Sequence, residues 1–170
     1  MVWNHSDTPI AFLITFRTRG TWLHGDDRGS ISRHRNVYGT PKLRPEPRWH
    51  DTNLARLKGE SLILSARQRA CVRKAVLETC ELREWKLYAL NIRTNHVHVV
   101  LWAKDKTPGI VLNALKANST RMMRERRQWQ EEHSPWADKG STRYLWTFEH
   151  RARAIKYVVD GQGAELPEFD

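Results

Sequence analysis

Residues 85–92 (WKLYALNI) and 96–103 (HVHVVLWA) are two β-rich runs separated only by Arg93, Thr94 and Asn95, and this spacing constrains the fold more than any other feature. So short a connection joins neighbouring strands antiparallel. Val99, Val100 and Leu101 in succession predict that the second strand is covered on both faces and so lies centrally in its sheet. His96 and His98 open that strand, and residues i and i+2 of a strand share a face, so both imidazoles point the same way. Burying a histidine without a partner costs on the order of 1–3 kcal/mol. The pair therefore needs hydrogen-bond partners or a metal. Two parallel imidazoles suit a divalent ion, and a structural or incidental pair is the reading the motif alone leaves open.

The rest of the chain supplies a first strand, a last strand and three helices. Residues 10–19 alternate, with Phe12, Ile14, Phe16 and Thr18 against Leu13, Thr15, Arg17 and Arg19. Residues 20–59 form a long basic excursion with Arg33, Arg35, Lys42, Arg44, Arg48 and three prolines. Ser65 with Gln68 is a capping-box pattern, and Val72, Ala75, Val76 and Leu82 recur behind it, predicting a helix over 66–83. Thr107 and Pro108 start another, with Val111, Leu115, Met122 and Trp129 as its apolar stripe. Residues 141–146 read as a last strand. A final helix over 147–161 follows, with Phe148, Ala152, Ile155 and Val159 as its buried side and Gly161 and Gly163 ending it.

The charge narrows the partner. Against 19 Asp and Glu stand 29 Lys and Arg, a formal charge of +10 on 170 residues, which calls for a polyanion. Eight tryptophans can stack on unpaired bases as well as fill a core, so single strands weigh more than duplex. Lys116, Thr120, Arg124 and Arg127 line one side of the second helix, and together with Arg121, Arg17 and Arg19 they are the candidate contacts to a phosphate backbone; a merely solvated face is the alternative. Cys71 and Cys80 share one predicted helix at a separation no disulfide spans, which fits a reducing cytoplasm. No stretch of about 18 apolar residues occurs and the N-terminus lacks a signal-peptide pattern, so neither export nor a membrane span is expected.

On the last helix His150, Arg153, Tyr157 and Asp160 fall on one polar stripe, and Tyr157 is the candidate nucleophile. A phenol has an ordinary pKa of about 10 and attacks only with a metal or base and an electrophile made more reactive. A divalent ion on the histidine pair would neutralise a scissile phosphate and fix it for in-line attack, giving a 5′-phosphotyrosine and a free 3′-hydroxyl. Keeping the phosphodiester energy in a protein linkage permits rejoining to another end. Two imidazoles leave Mg²⁺ or Mn²⁺ under-coordinated, so a third protein ligand is expected, from Asp160 or Gln162. Tyr38, Tyr88 and Tyr144 compete with Tyr157, but Tyr38 falls in the basic segment and the other two in strands. His24, His34, His50 and His133 have no pairing spacing and read as surface residues.

Three segments together resemble the single-tyrosine HUH transposases, the IS200-like and REP-associated enzymes: Asn95-His96-Val97-His98-Val99-Val100, Lys116-Ala117-Asn118-Ser119-Thr120-Arg121, and Trp146 through His150 leading into 155–163 (IKYVVDGQG). The resemblance covers most of the chain. It implies an α+β fold of one domain over 1–170, with a ferredoxin-like central antiparallel sheet of four to five strands flanked by helices. It further implies a metal on His96 and His98, Tyr157 as nucleophile, recognition of hairpins in single-stranded DNA, and pairing of two subunits in many relatives. One position departs from the pattern: the family often places a Gln or Asn ligand four residues after the tyrosine, where this chain has Gly161, with Gln162 one further on. Termination of the helix at Gly161 favours Gln162 over Asp160, because its side chain can swing back. The same departure leaves a second reading, a domesticated hairpin-binding protein that does not cut. A cupin-type metal enzyme also uses His-x-His on a strand, but the chain lacks that group's glycine-rich frame and following glutamate.

Overall fold

The computed structural model describes residues 8–20 and 61–167, and the long basic segment with its histidines and Tyr38 lies outside them. The elements are β1 (Ala11–Arg17), α1 (Ala66–Leu82), β2 (Lys86–Ile92), β3 (His96–Trp102), α2 (Pro108–Glu125), β4 (Ser141–Leu145) and α3 (Phe148–Asp160). The four strands form one sheet in the order β2-β3-β1-β4, every neighbour antiparallel. This is the split βαβ arrangement of ferredoxin-like folds, an α+β domain. The central position expected for the histidine strand is observed, since β3 pairs with β2 on one side and β1 on the other.

Alternation along β1 and β3 divides the side chains between two cores. Phe12, Ile14, Phe16, Val97, Val99 and Leu101 face α1 and α2, where Val72, Val76, Val111, Leu115 and Met123 complete the larger cluster. Leu13, Val100 and Leu145 face the other way and meet Ala154 and Val158 of α3. His96 and His98 share parity with Val100, so they lie on the α3 side.

Each helix starts where its caps dictate. The Ser65 hydroxyl accepts from Gln68 N while the Gln68 side chain accepts from Ser65 N, the reciprocal pair the sequence predicts, worth about 1 kcal/mol. Thr107 caps α2 ahead of Pro108, and Thr147 caps α3 by accepting from His150 N. Three sequence expectations about faces are corrected. Leu82, at the last turn of α1, is 83% exposed rather than buried. Trp129 lies beyond the end of α2, against the rim of the core, with its indole N–H donating to His133 O. On α3 the buried side is Ala154 and Val158, not Phe148, Ala152 and Val159, which are exposed. The small Ala154 permits close seating on the sheet. Phe148 instead stacks against the Arg151 guanidinium, 5.0 Å from its ring centroid, and the same guanidinium lies over Tyr88 and donates to the Tyr88 hydroxyl.

A register shift between Leu87 and Ala89 interrupts the β2–β3 ladder, and Asn91 then falls opposite His98. The Asn91 side-chain amide donates to Val158 O at 2.9 Å, tying the last turn of α3 to the sheet beside the histidines. Both cysteines are free and buried. Among the described residues no helix is long and apolar enough to cross a membrane.

Candidate active site

Strand pairing sets the first half of the site. His98 stands opposite Thr15 of β1 and His96 opposite Arg17, so all four side chains project from the α3 face. The Thr15 hydroxyl lies 2.8 Å from His98 Nδ1, and the Asn95 side-chain oxygen lies 2.6 Å from His96 Nδ1. The Asn95 oxygen can only accept, so His96 Nδ1 donates to it. The two imidazole centroids are 4.7 Å apart. Partners of this kind fix ring orientation, and spacing alone gave no signal for Thr15 or Asn95.

Helix α3 supplies the second half. Its buried positions Ala154 and Val158 lie against Leu13, Val100 and Leu145, which turns Tyr157 toward the histidines. The Tyr157 ring meets the His98 ring edge to face at 5.3 Å between centroids. Tyr157 remains 42% exposed, whereas His98 is only 3% exposed.

The chain after Tyr157 explains the one-residue displacement of the glutamine. A Cβ on Gly161 would fall 2.6 Å from Tyr157 O and 3.3 Å from Tyr157 Cδ2, so no side chain fits at that position. Gly161 caps the helix, its N–H donating to Tyr157 O, and Gln162 turns back. Its side-chain nitrogen donates to Tyr157 O at 2.9 Å, which leaves Oε1 facing His96 Nε2 at 3.4 Å. His96 Nε2 and Gln162 Oε1 thus stand close enough to share one ion. Neighbouring ligands of an octahedral Mg²⁺ stand about 3 Å apart, so the donor set of two imidazoles and one amide oxygen suits a divalent ion. Asp160 is not gathered there: among the described residues no three His, Cys, Asp or Glu side chains converge.

The basic side of α2 is built differently from the free row of cations its spacing suggests. The Lys116 ammonium donates to Ala137 O and Lys139 O, and burial pushes its pKa down, with Asp138 opposing and the Arg17 charge adding to the shift. Arg124 donates to Glu131 O and Glu132 O. The Thr120 hydroxyl donates to Lys116 O and accepts from the Trp136 indole. These three side chains therefore fasten the loop between α2 and β4. Arg121 is paired with Glu125 at the surface, and Arg127 has φ 55° in the turn that ends α2. Helix α2 also packs on the sheet face opposite the histidines, and of the cationic candidates Arg17 is the one aligned with them. Arg19 is held through its backbone, which bonds to Pro135 O and Leu62 N.

One solved structure agrees with this architecture. A solved REP-associated tyrosine transposase bound to a REP hairpin superposes over 93% of this chain and 69% of its own, with a TM-score of 0.50 at 9% identity. A protein of Deinococcus radiodurans R1 assigned as a transposase aligns over 97% of this chain and 99% of its own, with a TM-score of 0.47 at 14% identity. No curated protein sequence matches. The family model described as transposase, IS200-like, matches residues 55–155, a span that includes His96 and His98 and ends two residues before Tyr157. With that match extending over more than half of its length, the chain belongs to the IS200-like transposase family.

Proposed function

We propose that the protein cleaves and rejoins single-stranded DNA next to hairpins through a 5′-phosphotyrosine on Tyr157, with Mg²⁺ or Mn²⁺ held by His96, His98 and Gln162. The observation that carries this reading is the convergence of a strand-borne imidazole pair, a helix-borne phenol and an amide oxygen at one solvent-accessible place. The divalent ion, when bound, offsets negative charge developing on the scissile phosphate.

The protein's own groups do the rest. Tyr157 Oη attacks phosphorus in line with the 3′-oxygen; the Oη–P bond forms as the P–O3′ bond breaks. The phenolic proton passes to solvent and the departing 3′-oxygen gains one, so no water is consumed. A 3′-hydroxyl of another end attacking the phosphotyrosine reverses the step and joins the strands. Thr15 and Asn95 hold the imidazoles through their Nδ1 atoms, and the seating of α3 through Ala154 and Val158 holds the phenol against them. Arg17, beside His96, is placed to meet a backbone phosphate.

The test is incubation with end-labelled hairpin DNA bearing single-stranded flanks, with Mg²⁺ or Mn²⁺, followed by denaturation. Label is retained at protein mass by the wild type and absent for Tyr157→Phe, which still binds the hairpin. Binding without adduct in either metal would instead favour the non-cutting hairpin protein suggested by Gly161 at the family's usual ligand position.

A further inference from the structure

Gln162 lies outside any helix and is tied to α3 only by the bond from its side-chain nitrogen to Tyr157 O, yet its amide oxygen is aimed at His96. What holds it is visible on either side. Arg93 opens the turn between β2 and β3, its N–H donating to His96 O, and its guanidinium leaves that turn to donate to Ala164 O at 2.7 Å. Gly163 makes this contact geometrically accessible: it has φ +87°, a conformation that L side chains rarely adopt, and turns the chain so that the next carbonyl meets the guanidinium. Further on, Arg69 donates to Pro167 O at 2.5 Å while its other nitrogen donates to Leu64 O. Residues 162–167 therefore form a strap pinned at two carbonyls, and its first pin comes from the very turn that ends in His96.

We propose that Arg93 is a positioning residue that couples the two sides of the metal site, holding Gln162 against His96 through the Ala164 carbonyl. This rests on the metal assignment made above. A guanidinium suits the task because its planar fork is rigid and permanently charged, and it joins by one side chain two segments whose sequence positions are far apart. Loss of the pin frees the strap at Gly163, and the amide oxygen then samples orientations away from His96.

The experiment is Mn²⁺ titration of the full-length protein, followed by loss of the free-ion electron paramagnetic resonance signal, for wild type, Arg93→Ala, Arg93→Lys, Gln162→Ala and the double variant Arg93→Ala with Gln162→Ala. Melting temperature and metal-free hairpin binding are measured alongside. Arg93→Ala is expected to weaken Mn²⁺ binding by about tenfold, the usual effect of removing a group that orients a ligand. Lysine should recover part of the loss, and the double variant should bind no more weakly than Gln162→Ala alone, because one effect passes through the other. Losses that simply add, or an Arg93→Ala protein with unchanged Mn²⁺ affinity, would overturn the positioning role while leaving the metal site standing. If His96→Ala and His98→Ala also bind Mn²⁺ like wild type, the metal site itself fails and this inference with it.

Discussion

The rings of His98 and Tyr157 meet edge to face, centroids 5.3 Å apart and planes at 72°, although one stands on the central strand and the other on the last helix. Neither residue defines the site without the other. The strand offers two imidazoles facing one way, and the helix brings a phenol over them only because its small buried positions let it sit close to the sheet. The geometry is thus a product of packing on the smaller of the two cores, and variants there should separate folding from chemistry.

Thr15→Val is the mildest probe of the histidine pair. The substitution keeps the shape and removes the hydroxyl 2.8 Å from His98 Nδ1, so a nearly buried imidazole loses this partner. Loss of about 1 kcal/mol of stability and roughly tenfold in Mn²⁺ affinity is expected. Urea unfolding and metal titration read the two effects, and no change in either would show that Thr15 does not orient His98.

Gly161→Ala tests why the amide lies five residues after the tyrosine and not four. The added Cβ meets the Tyr157 carbonyl at 2.6 Å, a contact that only backbone movement relieves. Adduct formation with hairpin DNA should fall at least tenfold, with about 1–3 kcal/mol of stability lost. Full adduct yield in this variant would mean that the end of α3 tolerates the shift.

The loop between α2 and β4 gives a contrast in stability. Lys116→Met strands two carbonyl acceptors, those of Ala137 and Lys139, and should cost about 1–3 kcal/mol. Arg121→Ala breaks a surface pair with Glu125 and should cost under about 1 kcal/mol. Equal losses in thermal unfolding would contradict the division drawn here between fastening and solvated cations.

Alkaline pH should weaken the fold through the buried thiols. Burial pushes Cys80 up to about 11 from 9.0, and Cys71 moves in the same direction for the same reason. A folded pKa above the unfolded one means that the unfolded chain releases its proton first. The contribution is therefore complete below pH 9 and is lost as pH rises toward 11. Cys80→Ala should flatten that part of the stability profile, measured by urea unfolding between pH 8 and 11; an unchanged slope would place the alkaline loss elsewhere.

Much of the architecture was legible because periodicity and caps are local. The 96–103 run became β3 at His96–Trp102, the capping box at Ser65 opened α1, and the 147–161 segment became α3 at Phe148–Asp160. Faces were harder. On α3 the spacing of Phe148, Ala152 and Val159 imitates an apolar stripe, but the sheet selects Ala154 and Val158, because contact depends on which residues allow close approach. On the basic stripe of α2, the hydrogen bonds from Lys116 and Arg124 to carbonyls of a distant loop leave no mark on spacing. Thr15 and Asn91 were invisible for the same reason: each acts through a partner that only pairing register or a tertiary contact brings near. Helix termination at Gly161 favours Gln162 over Asp160, and its amide oxygen lies 3.4 Å from His96 Nε2.

Whether Tyr157 becomes covalently joined to DNA is read by peptide mass spectrometry of the adduct. Protein incubated with Mn²⁺ and a hairpin carrying single-stranded flanks is digested with protease and nuclease, and the nucleotide-bearing peptide is sequenced. A phosphodiester-linked nucleotide attached through its 5′-phosphate is expected on Tyr157, and none in Tyr157→Phe. A nucleotide on Tyr38, Tyr88 or Tyr144, or cleaved DNA with no protein-linked nucleotide, would contradict it.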